Sequence, residues 1–205
     1  MFGIDVSEHQ GLIQWDLVKP QIDFAILRLG WIGKSGSHQL DTQFEKNYQE
    51  CKRLGIPIGV YVYCYSHTPE NASNGAEWAL GALKGRNLEL PVYIDMEDPN
   101  IVGLGQNTLT QICISFNSII EKDGYWAGVY ADKDWYTHHL NTPELKKRYT
   151  TWIAAYSSGS DRFKGEFDMW QNSSSGQING ISTRVDTDYM YRNLLDEINH
   201  SRTPK

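Results

Sequence analysis

The chain has 205 residues, 40% hydrophobic and 21% charged, proportions that exclude a disordered polymer and allow one domain with its own core. Nineteen lysines and arginines against 25 aspartates and glutamates give a net charge of −6, which leaves no basic footprint for nucleic acid. The unusual component is aromatic: 7 Trp, 12 Tyr and 6 Phe offer flat apolar faces with polar tips, suited to sugar rings as well as to a core.

Taken in chain order, residues 3–6 predict a strand carrying Asp5 within Gly3-Ile4-Asp5-Val6-Ser7. Residues 24–30 predict a second, with Arg28 in an apolar run. A buried Arg needs a carboxylate, and Asp5 on the adjacent strand is the nearest candidate. Phe44, Tyr48, Cys51 and Leu54 recur at helical spacing, predicting a helix over 41–54 that stops at Gly55. A third strand over 57–65 sets Tyr61, Tyr63 and Tyr65 on one face. Thr68-Pro69-Glu70 reads as the cap and first turn of a helix running to about residue 84. A fourth strand, 90–95, ends on Asp95, with Glu97 two residues on. A helix over 108–122 and a fifth strand over 125–130, ending on Tyr130, follow. Residues 151–155, bracketed by Trp152 and Tyr156, then 167–171 with Trp170-Gln171, and 184–186 predict shorter strands. Residues 157–160 and 173–176 read as loops.

Strand–helix–strand repetition predicts parallel strands with right-handed crossovers. Five such units followed by short strands predict an α/β fold, an irregular TIM-like barrel. A regular eightfold barrel takes about 250 residues, so helices must be missing from the end after residue 150. The expected division is a barrel over 1–195 and a polar tail, or the start of a linker, over 196–205. The N-terminus has no basic and apolar leader, which predicts synthesis without a secretory signal. The longest near-apolar run, 56–65, falls short of the roughly 18–20 residues of a membrane span. Three cysteines, with no Cys-x-x-Cys, predict buried free thiols.

The chemistry concentrates at predicted strand ends. If the fourth strand continues, Asp95 and Glu97 share a face with Cα atoms about 6.5–7 Å apart, from a rise of ~3.3 Å per residue. In a parallel barrel those ends hold the active site. Two close carboxylates keep one of them protonated near neutral pH, the requirement for protonating a glycosidic oxygen. Asp5, Asp186 and Asp188 add carboxylates on two further strand ends. The plainer alternatives are a polar loop after the fourth strand, a turn role for Asp5, and an Asp186–Arg184 pair. The aromatic stripes are core or a stacking platform. Gly33-Lys34-Ser35 lacks the leading glycine of a P-loop, there is no Gly-x-Ser-x-Gly, and His138-His139 lacks the spacing of a His-Glu-x-x-His zinc site.

Assembled in order, Gly3-Ile4-Asp5-Val6-Ser7, His9-Gln10-Gly11, Asp23-Phe24-Ala25-Ile26-Leu27-Arg28, Gly59-Val60-Tyr61, Leu90-Pro91-Val92-Tyr93-Ile94-Asp95-Met96-Glu97, Gly128-Val129-Tyr130, Trp152-Ile153-Ala154-Ala155-Tyr156, Trp170-Gln171 and Val185-Asp186 resemble the family 25 glycoside hydrolases, the Chalaropsis-type lysozymes. The resemblance implies a barrel of eight strands with about five helices and an N-acetylmuramidase that cuts the β-1,4 bond between N-acetylmuramic acid and N-acetylglucosamine. It implies Glu97 as general acid, Asp95 assisting the 2-acetamido group, and Asp5 and Asp186 as further acidic residues of the site. Tyr63, Tyr65, Tyr130, Tyr156, Trp170 and Arg28 are the expected substrate-binding residues. The implied partner is the glycan strand of bacterial peptidoglycan, with no cofactor or metal, nucleic acid or membrane. The chain then looks like the catalytic part of a phage endolysin, made in the host cytoplasm and acting on the wall after release, with wall-binding repeats expected beyond it. Asn172, where an aromatic often follows Trp-Gln, and Val62, where a His is frequent, depart from the pattern. A chitinase-like hydrolase and a catalytically silent wall-binding module remain the rival readings.

Overall fold

A computed structural model describes residues 1–156 and 162–202; the loop expected over 157–160 lies outside the described residues. Strand β1 (Phe2–Val6) runs parallel to β2 (Phe24–Ile32), and β3 (His38–Leu40) folds back antiparallel on β2. From β2 the sheet continues in parallel through β4 (Ile58–Cys64), β5 (Val92–Asp95), β6 (Ala127–Asp132), β7 (Thr150–Ala154) and β8 (Met169–Gly176). β9 (Val185–Met190) pairs antiparallel with both β8 and β1, closing a mixed barrel of eight strands with β3 outside the ring. Residues 173–176, expected as a loop, extend β8 through two register shifts against β9.

Helices α2 (Phe44–Leu54), α3 (Pro69–Leu83) and α4 (Gln106–Lys122) are the long crossovers of the first half. Their ends follow the sequence signals. Thr68 accepts a hydrogen bond from the Asn71 amide at 3.2 Å with Pro69 in the first turn, and α2 stops at Gly55, whose φ of +63° favours glycine. After β6 the connections shrink to a π-helical turn (Trp135–His139) and the single turn α5 (Thr142–Leu145). With the short α1 (Trp15–Val18) and the C-terminal α6 (Leu194–Arg202) there are six α-helices among the described residues, two of them single turns, where about five were expected.

Two apolar layers hold the barrel. Ala25, Leu27, Val60 and Val129 face outward onto Phe44, Cys51, Ala76, Ile112 and Phe116 of the helices. Phe24, Ile26, Tyr93, Trp152, Met169 and Met190 fill the interior. The interior fits because Gly128 stands beside Tyr93: a Cβ there would lie 2.4 Å from the Tyr93 ring. Residues 196–202, expected as polar tail, are helical, because Ile198 falls four residues after Leu194 on one helix face. Leu194 and Ile198 of α6 are fully buried and join the inner cluster, plugging the barrel at the N-terminal ends of its parallel strands. The three cysteines are free and buried. Among the described residues no helix is long and apolar enough to cross a membrane.

Candidate active site

The opposite end of the barrel, where the parallel strands finish, is a narrow recess of about 50 Å³ lined by Asp5, Tyr61, Asp95, Glu97, Tyr130, Trp152, Gln171 and Asp186. Each carboxylate arrives by strand geometry. β5 ends on Asp95, but the Met96 amide still bonds the Tyr130 carbonyl at 2.9 Å, and both Asp95 and Glu97 reach the recess. Asp5 and Asp186 are register partners on β1 and β9, so their side chains meet across the seam that closes the barrel.

The site is acidic and mostly dry. Burial first, then the charges of Asp132 and Asp186, push Glu97 up to about 6. Burial pushes Asp186 up to about 6. Burial, then Glu97 and Asp5, hold Asp95 well above the ordinary carboxylate range; it is 2% exposed, and its Oδ1 has no hydrogen-bond partner. Asp5 is raised by burial and by Asp186, and its Oδ2 accepts from Gln171 Nε2 at 2.8 Å. Behind it Asp188 is fully buried. Its Oδ1 accepts from Trp152 Nε1 at 2.8 Å, its Oδ2 has no donor, and burial and the neighbouring Asp5 raise it well above the usual range. A buried carboxylate oxygen without a donor beside a second carboxylate is the arrangement in which a shared proton supplies the missing bond.

Gln171 organises one wall. Its Oε1 accepts from the Tyr130 hydroxyl at 2.8 Å and the Tyr156 hydroxyl at 3.0 Å, while Tyr130 also lies 3.5 Å from Glu97 Oε2. A chain of polar contacts therefore runs from Asp5 through Gln171 and Tyr130 to Glu97. Beyond Glu97 the recess opens into a cleft of about 390 Å³ bounded by Asp132, Ala155 and Tyr156. Tyr156 is 60% exposed and Tyr65 39% exposed, flanking the mouth from β7 and β4. The Tyr63 and Tyr65 rings lie 4.6 Å apart, and the Tyr63 hydroxyl is 3.5 Å from Asp98.

Two expectations are corrected, and one alternative falls away. Arg28 does not pair with Asp5: the register sets Asp5 opposite Ile26, so Arg28 falls beyond the end of β1. There it bonds Asp41 at 2.6 Å and pairs with Glu8, tying the first turn to the start of α2. It lies outside the recess lining, although its charge reaches Asp95 and lowers it against the other causes. Trp170 is 1% exposed and turns away from the recess, bonding the Ala155 carbonyl at 2.8 Å and packing on Phe163 and Tyr189. Asp186 has no ion pair with Arg184 among the described residues; it faces Asp5, and Arg184 is exposed. The recess instead uses Tyr61, Trp152 and Gln171. Strand alternation carries the signal for two of them: if Trp170 faces out, Gln171 faces in, and Trp152 is opposite in sense to Ile153.

No group of three or more His, Cys, Asp or Glu suited to a metal ion occurs among the described residues. The arrangement offers a carboxylic acid that keeps its proton up to about pH 6, a buried carboxylate with a free acceptor oxygen, and aromatic faces at the rim.

The comparisons with known proteins agree with this geometry. The family model described as Glycosyl hydrolases family 25 matches residues 4–181. Among curated proteins the chain is 27% identical over 199 residues to the autolytic lysozyme of Clostridium acetobutylicum, covering 95% of this chain and 57% of that one. It is 24% identical to lysozyme M1 of Streptomyces globisporus, covering 90% of this chain and 65% of that one. Among solved structures the modular autolysin LytC from Streptococcus pneumoniae superposes with a TM-score of 0.79 at 30% identity, over 91% of this chain and 46% of LytC. LytC has also been solved in complex with a synthetic peptidoglycan ligand. The catalytic domain of endolysin ply40 from bacteriophage P40 of Listeria monocytogenes shares the fold, with a TM-score of 0.77 at 22% identity over 97% of this chain and 96% of that one. The chain thus spans about half of LytC and less than two thirds of the autolytic lysozyme.

Proposed function

The chain belongs to glycosyl hydrolase family 25, and from that membership we propose that it is a peptidoglycan hydrolase of the muramidase class. The observation that carries the reading is the pairing, in one recess, of Glu97 raised to about 6 with a buried Asp95 whose Oδ1 is unpartnered. A glycosidic oxygen needs a proton from an acid that still holds one well above the usual carboxylate range, and Glu97, raised to about 6, meets that need in mildly acidic solution. The 2-acetamido N–H of a bound N-acetylmuramic acid residue supplies the donor that Asp95 Oδ1 lacks. That hydrogen bond favours ionised Asp95, while Glu97 keeps its own proton.

The proposed sequence follows. Glu97 protonates the oxygen leaving C1 as the acetamido carbonyl oxygen attacks C1 from the other face. Asp95 stabilises the cationic oxazolinium ring. Glu97, now a carboxylate, takes a proton from water, which opens the ring at C1 with net retention. Burial and the charges of Asp132 and Asp186 keep Glu97 protonated, Asp5 stands beside Asp186 in the same recess, and Tyr63, Tyr65 and Tyr156 offer stacking faces along the cleft. The same reading makes the chain the lytic part of a phage endolysin, made in the host cytoplasm and reaching the wall after release. Turbidity loss of host cells when the chain is supplied on the wall side, and none when it stays in the cytoplasm, is the expected behaviour.

Digestion of purified peptidoglycan, borohydride reduction of the new ends and mass spectrometry test the bond assignment. Muramitol ends support it; glucosaminitol ends, or chitin cut in preference to peptidoglycan, contradict it. Proton NMR of fresh product tests the stereochemistry, and inversion at C1 would overturn the substrate-assisted route.

A further inference from the structure

The net charge of −6 opposes approach to an anionic bacterial wall. At the end of the barrel away from the recess, the local balance reverses. Two adjoining grooves, of about 460 and 450 Å³, cross the N-terminal ends of β6, β7 and β8. Lys146 and Arg192 line both, Lys147, Arg148 and Trp126 line the first, and Lys164 lines the second. The lining carboxylates are Glu121, Glu166 and Asp168. Asp168 is turned inward, accepting from the Thr151 amide at 2.7 Å and the Thr151 hydroxyl at 3.0 Å, while its Oδ1 lies 3.3 Å from Arg192, whose guanidinium also pairs with Glu197 at 2.5 Å. Arg148 reaches Glu121 only at 3.3 Å, and Lys147 and Lys164 are exposed with no carboxylate partner among the described residues.

The groove also has aromatic faces. The Arg192 guanidinium lies 5.8 Å from the Trp126 ring centre, and Lys146 Nζ lies 4.5 Å from that of Phe167. A single small anion needs one convergent pocket. This site instead spreads Lys146, Lys147, Arg148 and Lys164 over two adjoining grooves beside apolar faces, with Arg192 held by Glu197 and Asp168 between them, which matches a chain of phosphates spaced by polyol or sugar units.

We propose that this groove docks an anionic phosphodiester polymer of the bacterial wall, holding the chain on the wall with its catalytic mouth directed away from the polymer. The proposal rests on the wall-hydrolase reading above for its choice of polyanion. It supplies the attraction that the acidic surface as a whole withholds.

The test uses the full chain, a Lys147→Glu/Lys164→Glu variant, and Gram-positive sacculi before and after hydrofluoric acid removes their phosphodiester polymers. Binding is measured in a Glu97→Gln background so that the wall stays intact, and hydrolysis is measured as new reducing ends in the native background. Pelleting with untreated sacculi falls roughly tenfold or more in the double variant, falls similarly for stripped sacculi, and weakens from about 50 to 200 mM salt. Purified poly(glycerol phosphate) competes. Hydrolysis of stripped sacculi is the same for the native chain and the double variant. Equal pelleting on stripped and untreated walls, no effect of the charge reversals, or binding to anionic lipid vesicles without binding to the polymer would each overturn the proposal. Hydrolysis without phosphate-dependent binding sinks the groove alone; phosphate-dependent binding without hydrolysis sinks the enzymatic reading alone.

Discussion

At the scale of single residues the account turns on who holds protons. Tyr130 lies against Glu97 Oε2 at 3.5 Å, and that contact lowers the Glu97 value against the burial that raises it. Tyr130→Phe therefore moves the alkaline limb of kcat/KM upward by a fraction of a pH unit; a downward move would show that the hydroxyl acts otherwise. Asp188 makes a second case. If it carries its proton in the folded state, Asp188→Asn keeps the Trp152 bond, with the amide oxygen accepting, and supplies an N–H where the proton stood. The variant retains activity within about threefold, as expected for replacing one satisfied buried pair by another. A loss of a hundredfold or more would mean that Asp188 works as an anion. The sequence made the four recess carboxylates legible because charged residues in apolar strands demand a reason. It misassigned Arg28 and Trp170, whose partners depend on a register and a facing that no local pattern prints. Arg28 needed the β1–β2 offset, and Trp170 needed the knowledge that its neighbour Gln171 points inward.

Among the elements, those with local signals were readable in the sequence and those made by tertiary contact were not. The Thr68 cap, the Gly55 stop and the first five of the parallel strands carry their causes within a few residues. β3 is wholly exposed and exists through its pairing with β2. Helix α6 has a polar sequence; Leu194 and Ile198, one turn apart, are buried in the barrel floor, with Leu195 packed partly against it. Ile198→Ala should cost about 2–4 kcal/mol in denaturant unfolding with little change in KM, since a large buried aliphatic is truncated far from the recess. Gly128→Ala should cost about 1–3 kcal/mol, because the added methyl meets the Tyr93 ring within a packed interior. A neutral result in either would mean that the plug or the interior is looser than the contacts imply.

Across the whole molecule the barrel stores an unfavourable cluster of carboxylates at one end. Glu97 and Asp186 rise to about 6, and Asp5, Asp95 and Asp188 are also raised. A carboxylate with a raised value in the folded state favours folding while protonated, and that contribution is lost as pH rises from the unfolded value through the folded one. The denaturation midpoint should therefore fall between about pH 4 and 7. The exposed ion pairs, such as Arg53 with Glu50 and Asp16, oppose this weakly. A midpoint that rises over that range would contradict the assignment of these protons. The most direct test of the central claim compares the native chain with Glu97→Gln on the same peptidoglycan, as a pH–rate profile with a parallel measurement of glycan binding. The account predicts a native alkaline limb near pH 6, set by the Glu97 value of about 6. It predicts a loss in kcat of about 100-fold or more for the variant, the size expected for removing a general acid, with glycan binding retained. Activity within tenfold of native in Glu97→Gln, with the same alkaline limb, would contradict it.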